Sequence, residues 1–362
     1  MKIMFYISSL EKGGAERVLS VICNRLLEKH KIVILVNSKS NIAYPFDKKI
    51  KIIELDKKRN KNPLFRNLKR VKEVEKQIEE NRPDAIISFL PMPSFISLLA
   101  NRKTKVPCIV ADRNDPKQEY KSKISNFLMK WLYPKADGFV FQTKEQQQYF
   151  NQEIQKKSTI IFNPIKEEFL IENINAEVKE NVIISVGRLV EQKNQKILIN
   201  AFSKLIKTHP NYILKIFGEG KLRTNLQKQI DELGLQNKAF LCGVSNNIKK
   251  ELEKAKVFVL PSNYEGMPNV LIEAMAVGLP VISTDCPCGG PKELIDNRKN
   301  GILIPVNAEQ VLTDKLEEVI GNNQLSQEIG NNAKKVKEIL HPNHIIRQWE
   351  EYITEVVKKN KE

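Results

Sequence analysis

Short apolar runs recur along the chain, each followed by a loop and then by a stretch whose apolar residues return every three or four positions. Residues 2–8 are nearly unbroken apolar. After a loop at 10–16, residues 16–29 carry Val18, Leu19, Ile22, Leu26 and Leu27 at helical spacing. Residues 32–36 are apolar again. Strand, glycine loop, helix, strand is the opening of a parallel, doubly wound sheet, and continuous apolar strands are what such a sheet needs when both its faces are covered. Further strands are predicted at 50–55, 84–89, 106–111 and 136–142. A last one at 160–164 leads into a linker, because residues 166–180 are polar and unpatterned.

A second series then begins. Strands are predicted at 182–186, 212–217, 239–241, 257–260, 280–284 and 301–305. Helices fall at 195–208, 222–233 and 270–277, and helices dominate the remainder, ending with 345–359. The 362 residues suffice for two α/β domains. No internal repeat or low-complexity tract interrupts them.

Two helices change the picture. Residues 62–80 hold Arg66, Lys69, Arg70, Lys72 and Lys76 around Leu64, Phe65, Leu68 and Val71, directly after the basic run 57–61. Residues 121–134 set Ile124, Phe127, Leu128, Trp131 and Leu132 on a broad stripe, with Lys121, Lys123 and Lys130 elsewhere. Such a helix suits a membrane interface; it equally suits packing on a sheet, which is how most amphipathic helices are used. Charge follows the same division. Residues 1–165 hold 32 Lys/Arg against 17 Asp/Glu, whereas the rest of the chain, with 27 against 26, is nearly neutral. A basic half implies an anionic partner: a membrane, a phosphorylated substrate or nucleic acid. Merely solvating lysines are the plainer reading.

No segment reaches the ~20 apolar residues of a membrane span. The first ten residues are too short for a signal peptide and read as a strand. Five scattered cysteines, Cys23, Cys108, Cys242, Cys286 and Cys288, make no disulfide framework, which points to a reducing cytoplasm. Cys286-Pro-Cys288 lacks a second ligand pair at zinc spacing, so no metal is expected.

Candidate chemistry concentrates in loops. In Ser262-Asn-Tyr-Glu-Gly-Met-Pro-Asn-Val-Leu-Ile-Glu273 a strand runs through a tight turn into a helix that ends at Gly278. The helix start, with Pro268 beside it, attracts anions, phosphate above all. Glu265 and Glu273 flank that start. Carboxylates there repel phosphate, so Glu265 is expected to face a sugar ring and Glu273 to accept from ribose hydroxyls. Gly187-Arg-Leu-Val-Glu-Gln-Lys-Asn194 follows a strand; Arg188 offers a planar pair of donors and Lys193 a compact charge, suited to phosphate. Gly13-Gly14-Ala-Glu-Arg17 allows close backbone approach at a helix start, although its pattern disfavours a dinucleotide site. Phe217-Gly-Glu-Gly220 is a turn against which a flat base can lie, or a bare turn.

Taken together, G-G-A-E, G-R-L-x-x-x-K-N, F-G-E-G and E-G-M-P-N-V-L-I-E-A-M-A-x-G-x-P-V-I resemble the retaining GT-B glycosyltransferases of family 4, nearly end to end and most densely over residues 182–305. Within that family the chain looks most like the bacterial hexosaminyl- and galactosyltransferases of capsule, exopolysaccharide or lipid-linked oligosaccharide assembly. The resemblance implies two Rossmann-like domains facing across a cleft, with a final helix crossing back to the first. The first would comprise 1–164 plus 345–362 and bind acceptor; the second, 165–344, would bind a nucleoside-diphosphate sugar. It assigns the diphosphate to Arg188 and Lys193, the ribose to Glu273 and the donor sugar to Glu265. Gly13 and Gly14 would approach the donor from the first domain. Asn269 and Val270 would meet the diphosphate through their N–H groups. Gly218, Gly266, Met267 and Pro268 complete the expected donor site.

One departure matters. Many relatives carry a His at the end of a first-domain strand, where this chain has Asp112-Arg113-Asn114. None of His30, His209, His341 and His344 fits that place. Arg113 and Asn114 are expected to bond sugar or acceptor instead.

The expected reaction is a retaining transfer of a hexose or N-acetylhexosamine from a UDP-sugar, with no metal or other cofactor. Arg188, Lys193 and the helix start would stabilise the leaving diphosphate, which itself takes the acceptor proton. The acceptor would be a saccharide on a polyprenyl diphosphate, its head group on Arg66, Lys69 and Arg70. The protein would then sit peripherally on the anionic inner face of the cell membrane. UDP over GDP rests on the resemblance alone. A GT-B epimerase or phosphorylase is the alternative. Nucleic-acid binding is disfavoured, because the basic residues alternate with acidic ones and no aromatic RNA-binding signature appears.

Overall fold

A computed structural model of the chain describes residues 1–39, 41–56, 62–171 and 179–361. The chain divides into two compact units, Met1–Pro164 with Pro342–Glu362, and Ile165–His341. The basic run at 57–61 and residues 172–178 of the polar stretch lie outside the described residues.

The first unit is built on strands β1 (Lys2–Ile7), β2 (Lys31–Val36), β3 (Lys51–Glu54), β4 (Ala85–Phe89), β5 (Cys108–Ala111), β6 (Gly138–Phe141) and β7 (Ser158–Ile160). Their order is β3-β2-β1-β4-β5-β6-β7, and every pair is parallel. The central strands are buried along nearly their whole length, which explains their unbroken apolar composition. Strand β7 forms two residues earlier than its apolar run suggests. Ser158 and Thr159 take part because an edge strand tolerates polar residues. The sequence pattern also passes over helix Pro91–Ala100, whose Pro91 and Pro93 look like breakers but occupy its first turn, where no N–H is needed. Aromatic rings fill the core beneath β5 and β6: Tyr120, Tyr133, Phe139, Phe141 and Phe150 are all buried.

Helix Pro342–Lys359 belongs to this unit. The Trp349 ring stacks on Phe89, centroids 6.0 Å apart, and is fully buried. The Tyr352 hydroxyl accepts from the Phe139 amide (2.8 Å) and donates to the Lys157 carbonyl (2.5 Å). Glu350 pairs with Lys29 and His30, in the turn that leads into β2, at 2.9 and 3.2 Å.

The second unit repeats the plan with β8 (Val182–Val186), β9 (Ile213–Phe217), β10 (Ala239–Gly243), β11 (Val257–Leu260), β12 (Val281–Thr284) and β13 (Ile302–Ile304). Their order is β10-β9-β8-β11-β12-β13, again parallel throughout. Its core gathers Ile183, Leu198, Phe202, Leu214, Ile216, Val259, Ile282 and Leu312. Both units are thus doubly wound Rossmann-like sheets, each reversing its strand order beside its first strand.

Candidate active site

In a doubly wound sheet, ligands bind outside the carboxyl ends of the strands where the order reverses. In the second unit that point lies between β8 and β11. The loops leaving these two strands are the two stretches that the sequence singles out, and they are bonded to each other. The Asn263 amide donates to the Gln192 carbonyl (2.8 Å). Gln192 Nε2 donates to the Tyr264 carbonyl (3.0 Å), and Asn194 Nδ2 to Asn263 Oδ1 (3.1 Å).

Lys193 and Glu265 meet across this seam as an ion pair, both largely withdrawn from solvent. Ser262 Oγ donates to the same Glu265 oxygen at 2.7 Å, and Thr284 Oγ1 holds the Ser262 carbonyl at 2.5 Å. The Glu265 amide donates to the Pro287 carbonyl at 3.0 Å. In the sequence Ser262 opens the motif without an assigned role and Thr284 lies outside it, because a lone hydroxyl carries no pattern of its own. Beyond the turn, helix Asn269–Ala276 starts one residue earlier than its apolar pattern suggests, with Pro268 at the cap and Gly278 in the left-handed conformation after its end. Gly266, Met267 and Pro268 are buried, and Asn269 and Val270 open the helix. Its free N–H end carries partial positive charge. Glu273 is buried one turn further on, with Lys166 Nζ 3.8 Å away, a neighbour that its linker position gave no reason to expect. Arg188 is exposed and has no ion-pair partner among the described residues.

The glycines answer to packing. Gly218 has φ +139°, and a Cβ there would lie 2.0 Å from the Gly187 carbonyl oxygen; one on Gly220 would lie 2.4 Å from that of Leu189. These glycines let the 217–220 turn press against the Arg188 loop. Gly290, unremarked in the sequence, is tighter still, its Cβ position 1.5 Å from the Gly266 carbonyl oxygen. A cavity of about 400 Å³ elsewhere in this unit, lined by Tyr212, Lys256, Pro280 and Lys334 among others, includes none of Arg188, Lys193, Glu265 and Glu273.

In the first unit Gly13 caps helix Gly14–Leu26 in an extended conformation. Arg113 follows β5 with its guanidinium over the rings of Phe89 (4.6 Å) and Trp349 (5.3 Å). Nη1 donates to Asn163 Oδ1 at 3.2 Å, while Nε and Nη2 are buried without a hydrogen-bond partner. Burial lowers its pKa to about 9. Asn114 is engaged by Glu119 (2.8 Å) and, at its carbonyl, by Gln146 (2.9 Å). Of the three residues expected at a head group, Arg70 is held by Asp56 through Nε and Nη2, down to 2.5 Å, while Arg66 and Lys69 have no ion-pair partner among the described residues.

Two such units, the second with a cation pair and spaced glutamates at a helix start, define a glycosyltransferase of the GT-B fold. Solved structures share that fold: Anabaena HepE in complex with UDP has TM-score 0.85 at 20% identity, covering 98% of this chain and 100% of that one. Sucrose-phosphate synthase of Thermosynechococcus elongatus has TM-score 0.86 at 16% identity, covering 99% of each chain.

The chain belongs to glycosyltransferase family 4 and is a glycosyltransferase. The model described as Glycosyltransferase Family 4 matches residues 12–169, and that described as Glycosyl transferases group 1 matches residues 166–336. A Campylobacter jejuni GalNAc-alpha-(1->4)-GalNAc-alpha-(1->3)-diNAcBac-PP-undecaprenol alpha-1,4-N-acetyl-D-galactosaminyltransferase is 31% identical over 98% of this chain and 99% of its own length. A second C. jejuni enzyme, the N-acetylgalactosamine-N,N'-diacetylbacillosaminyl-diphospho-undecaprenol 4-alpha-N-acetylgalactosaminyltransferase, is 32% identical over 92% and 94%.

Proposed function

We propose that the protein transfers an N-acetylhexosamine or hexose from a UDP-sugar to a saccharide carried on a polyprenyl diphosphate, with retention at the anomeric carbon and without a metal cofactor. The observation that carries this reading is the joined pair of loops after β8 and β11, in which Lys193, on the same loop as Arg188, pairs with Glu265 just ahead of helix Asn269–Ala276. Arg188, Lys193 and the helix N–H groups offset the charge that grows on the leaving diphosphate. Glu265, bonded by Lys193 and Ser262, keeps a fixed carboxylate for the donor sugar, and Glu273 takes the ribose hydroxyls. The leaving phosphate receives the acceptor proton, so the step uses no protein base. The acceptors named for the two C. jejuni relatives support a lipid-linked acceptor. The first unit receives that acceptor, with Arg66 and Lys69 toward its diphosphate, at the anionic cytoplasmic face of the membrane. Among the described residues, no helix is long and apolar enough to cross a membrane.

The reading is tested with a panel of UDP- and GDP-sugars followed by thermal shift, then by turnover on a lipid-diphosphate saccharide. A matching UDP-sugar well above its Kd stabilises by a few kcal/mol. Lys193→Ala lowers kcat by about two orders of magnitude. Full activity in that variant, or free monosaccharide released regardless of acceptor, refutes the assignment.

A further inference from the structure

The helix at residues 121–134 left two readings open, and the structure divides its stripe between them. In helix Lys123–Leu132, Met129 and Leu132 are buried in the core and Leu128 packs against it. The other three large apolar side chains face out: Ile124 is 74% exposed, Phe127 65% and Trp131 43%. Exposed apolar groups of this size, in one line on one helix, are unusual on a surface that meets only water.

Their surroundings are cationic. The Lys135 ammonium lies 4.3 Å from the centre of the Trp131 ring and the Arg102 guanidinium 5.0 Å, while the Phe127 ring stacks against Trp131 at 6.3 Å. Lys121, Lys123 and Lys130 are exposed on the same segment, and Lys121, Lys123, Lys130 and Lys135 have no ion-pair partner among the described residues. Helix Pro91–Ala100 packs against this helix and against Pro63–Asn81, so the three share one layer on the sheet. Pro63–Asn81 exposes Leu64, Phe65 and Leu68 by more than half, together with Lys69. Apolar ridges fringed by cations are thus repeated on two helices of one layer.

We propose that this layer is a docking surface for an anionic lipid bilayer, with Ile124 and Phe127 entering the acyl region, Trp131 at the headgroup level and the lysines on lipid phosphates. The inference deepens the proposal of a lipid-linked acceptor and rests on that reading only for its purpose. Charge decides the occupant. A second copy of this chain would bring the same cations face to face, whereas an anionic bilayer neutralises them and buries the aromatic and aliphatic groups together.

The chain has two tryptophans, and Trp349 is fully buried, so Trp131 is a built-in reporter. The full-length protein is mixed with phosphatidylglycerol vesicles, with no donor or acceptor present. Expected are co-sedimentation, weaker at high salt and on phosphatidylcholine alone, a blue shift of tryptophan emission, and quenching by acyl-brominated lipid. Trp131→Phe abolishes the quenching but leaves the protein on the vesicles. The double variant Ile124→Ser/Phe127→Ser weakens vesicle binding at least tenfold while leaving the thermal shift with UDP-sugar unchanged. No vesicle binding by the wild type, or a dimer in solution that the double variant dissolves, overturns the proposal. Failure of the glycosyltransfer reading shows instead as absent UDP-sugar stabilisation, which vesicle binding does not affect.

Discussion

Glu265 shows how one carboxylate is fixed in the turn ahead of a helix start. Lys193 neutralises it, Ser262 Oγ fixes one oxygen, and Thr284 fixes Ser262. A second carboxylate, Asp112, is buried in the first unit. It is enclosed by Tyr120 and Tyr133, whose hydroxyls donate to it at 2.7 and 3.0 Å, and burial outweighs those bonds to raise its pKa to about 7. An ordinary carboxylate titrates near ~4, so between there and about 7 the unfolded chain ionises while the folded chain keeps its proton. Folding stability therefore falls as pH rises through that window and stays level above it. Asp112→Asn removes the titration, and urea unfolding at pH 5 and pH 8 should show a difference smaller by on the order of a few kcal/mol than in the wild type, at about 1.4 kcal/mol per pKa unit. An equal difference in both proteins refutes the assignment to Asp112. None of this pairing was readable beforehand: Asp112-Arg113-Asn114 stood out in the sequence, but its tyrosines lie 8 and 21 residues away.

At the scale of elements, the strands and the two loops after β8 and β11 were legible because they obey local rules. Period and glycine position mark where strands end and helices begin. What escaped was contact between loops. The Gly290 Cβ position falls on the Gly266 carbonyl, and nothing in Cys286-Pro-Cys-Gly-Gly290 signals that this turn supports one 24 residues earlier. Gly290→Ala must push the Glu265 turn aside. Its expected cost is about 1–3 kcal/mol, seen as a lower denaturant midpoint, and the KM for the nucleotide sugar rises with it. A variant with unchanged stability and unchanged KM shows that the turn yields freely. The same limit applied to the helix Lys123–Leu132. Spacing drew a single broad stripe, but only the neighbouring elements decide that Leu132 goes inward while Phe127 stays outside.

For the whole molecule, two units of the same architecture carry different charge, and each was visible as a separate series of strands. The return of Pro342–Lys359 to the first unit was expected from family resemblance alone, since no local pattern says which sheet a late helix will choose. Its anchor is Trp349 on Phe89. Trp349→Ala should destabilise the first unit by about 3–5 kcal/mol, while the second unit, which contains none of this contact, still gives its UDP-sugar thermal shift. Uniform loss of both refutes independent stability of the units.

This closure also sets an order of events during synthesis. Domains usually fold from the N-terminus as they emerge from the ribosome. Here the first unit has all seven strands by Ile160 but must wait for a helix translated after the whole of the second. The later unit can close first, and the earlier one meanwhile exposes Phe89 and the ring of Arg113 contacts that Trp349 will cover. A chain ending at residue 341 would therefore hold every element of the second unit and lack the closing helix of the first, the reverse of the usual sequence.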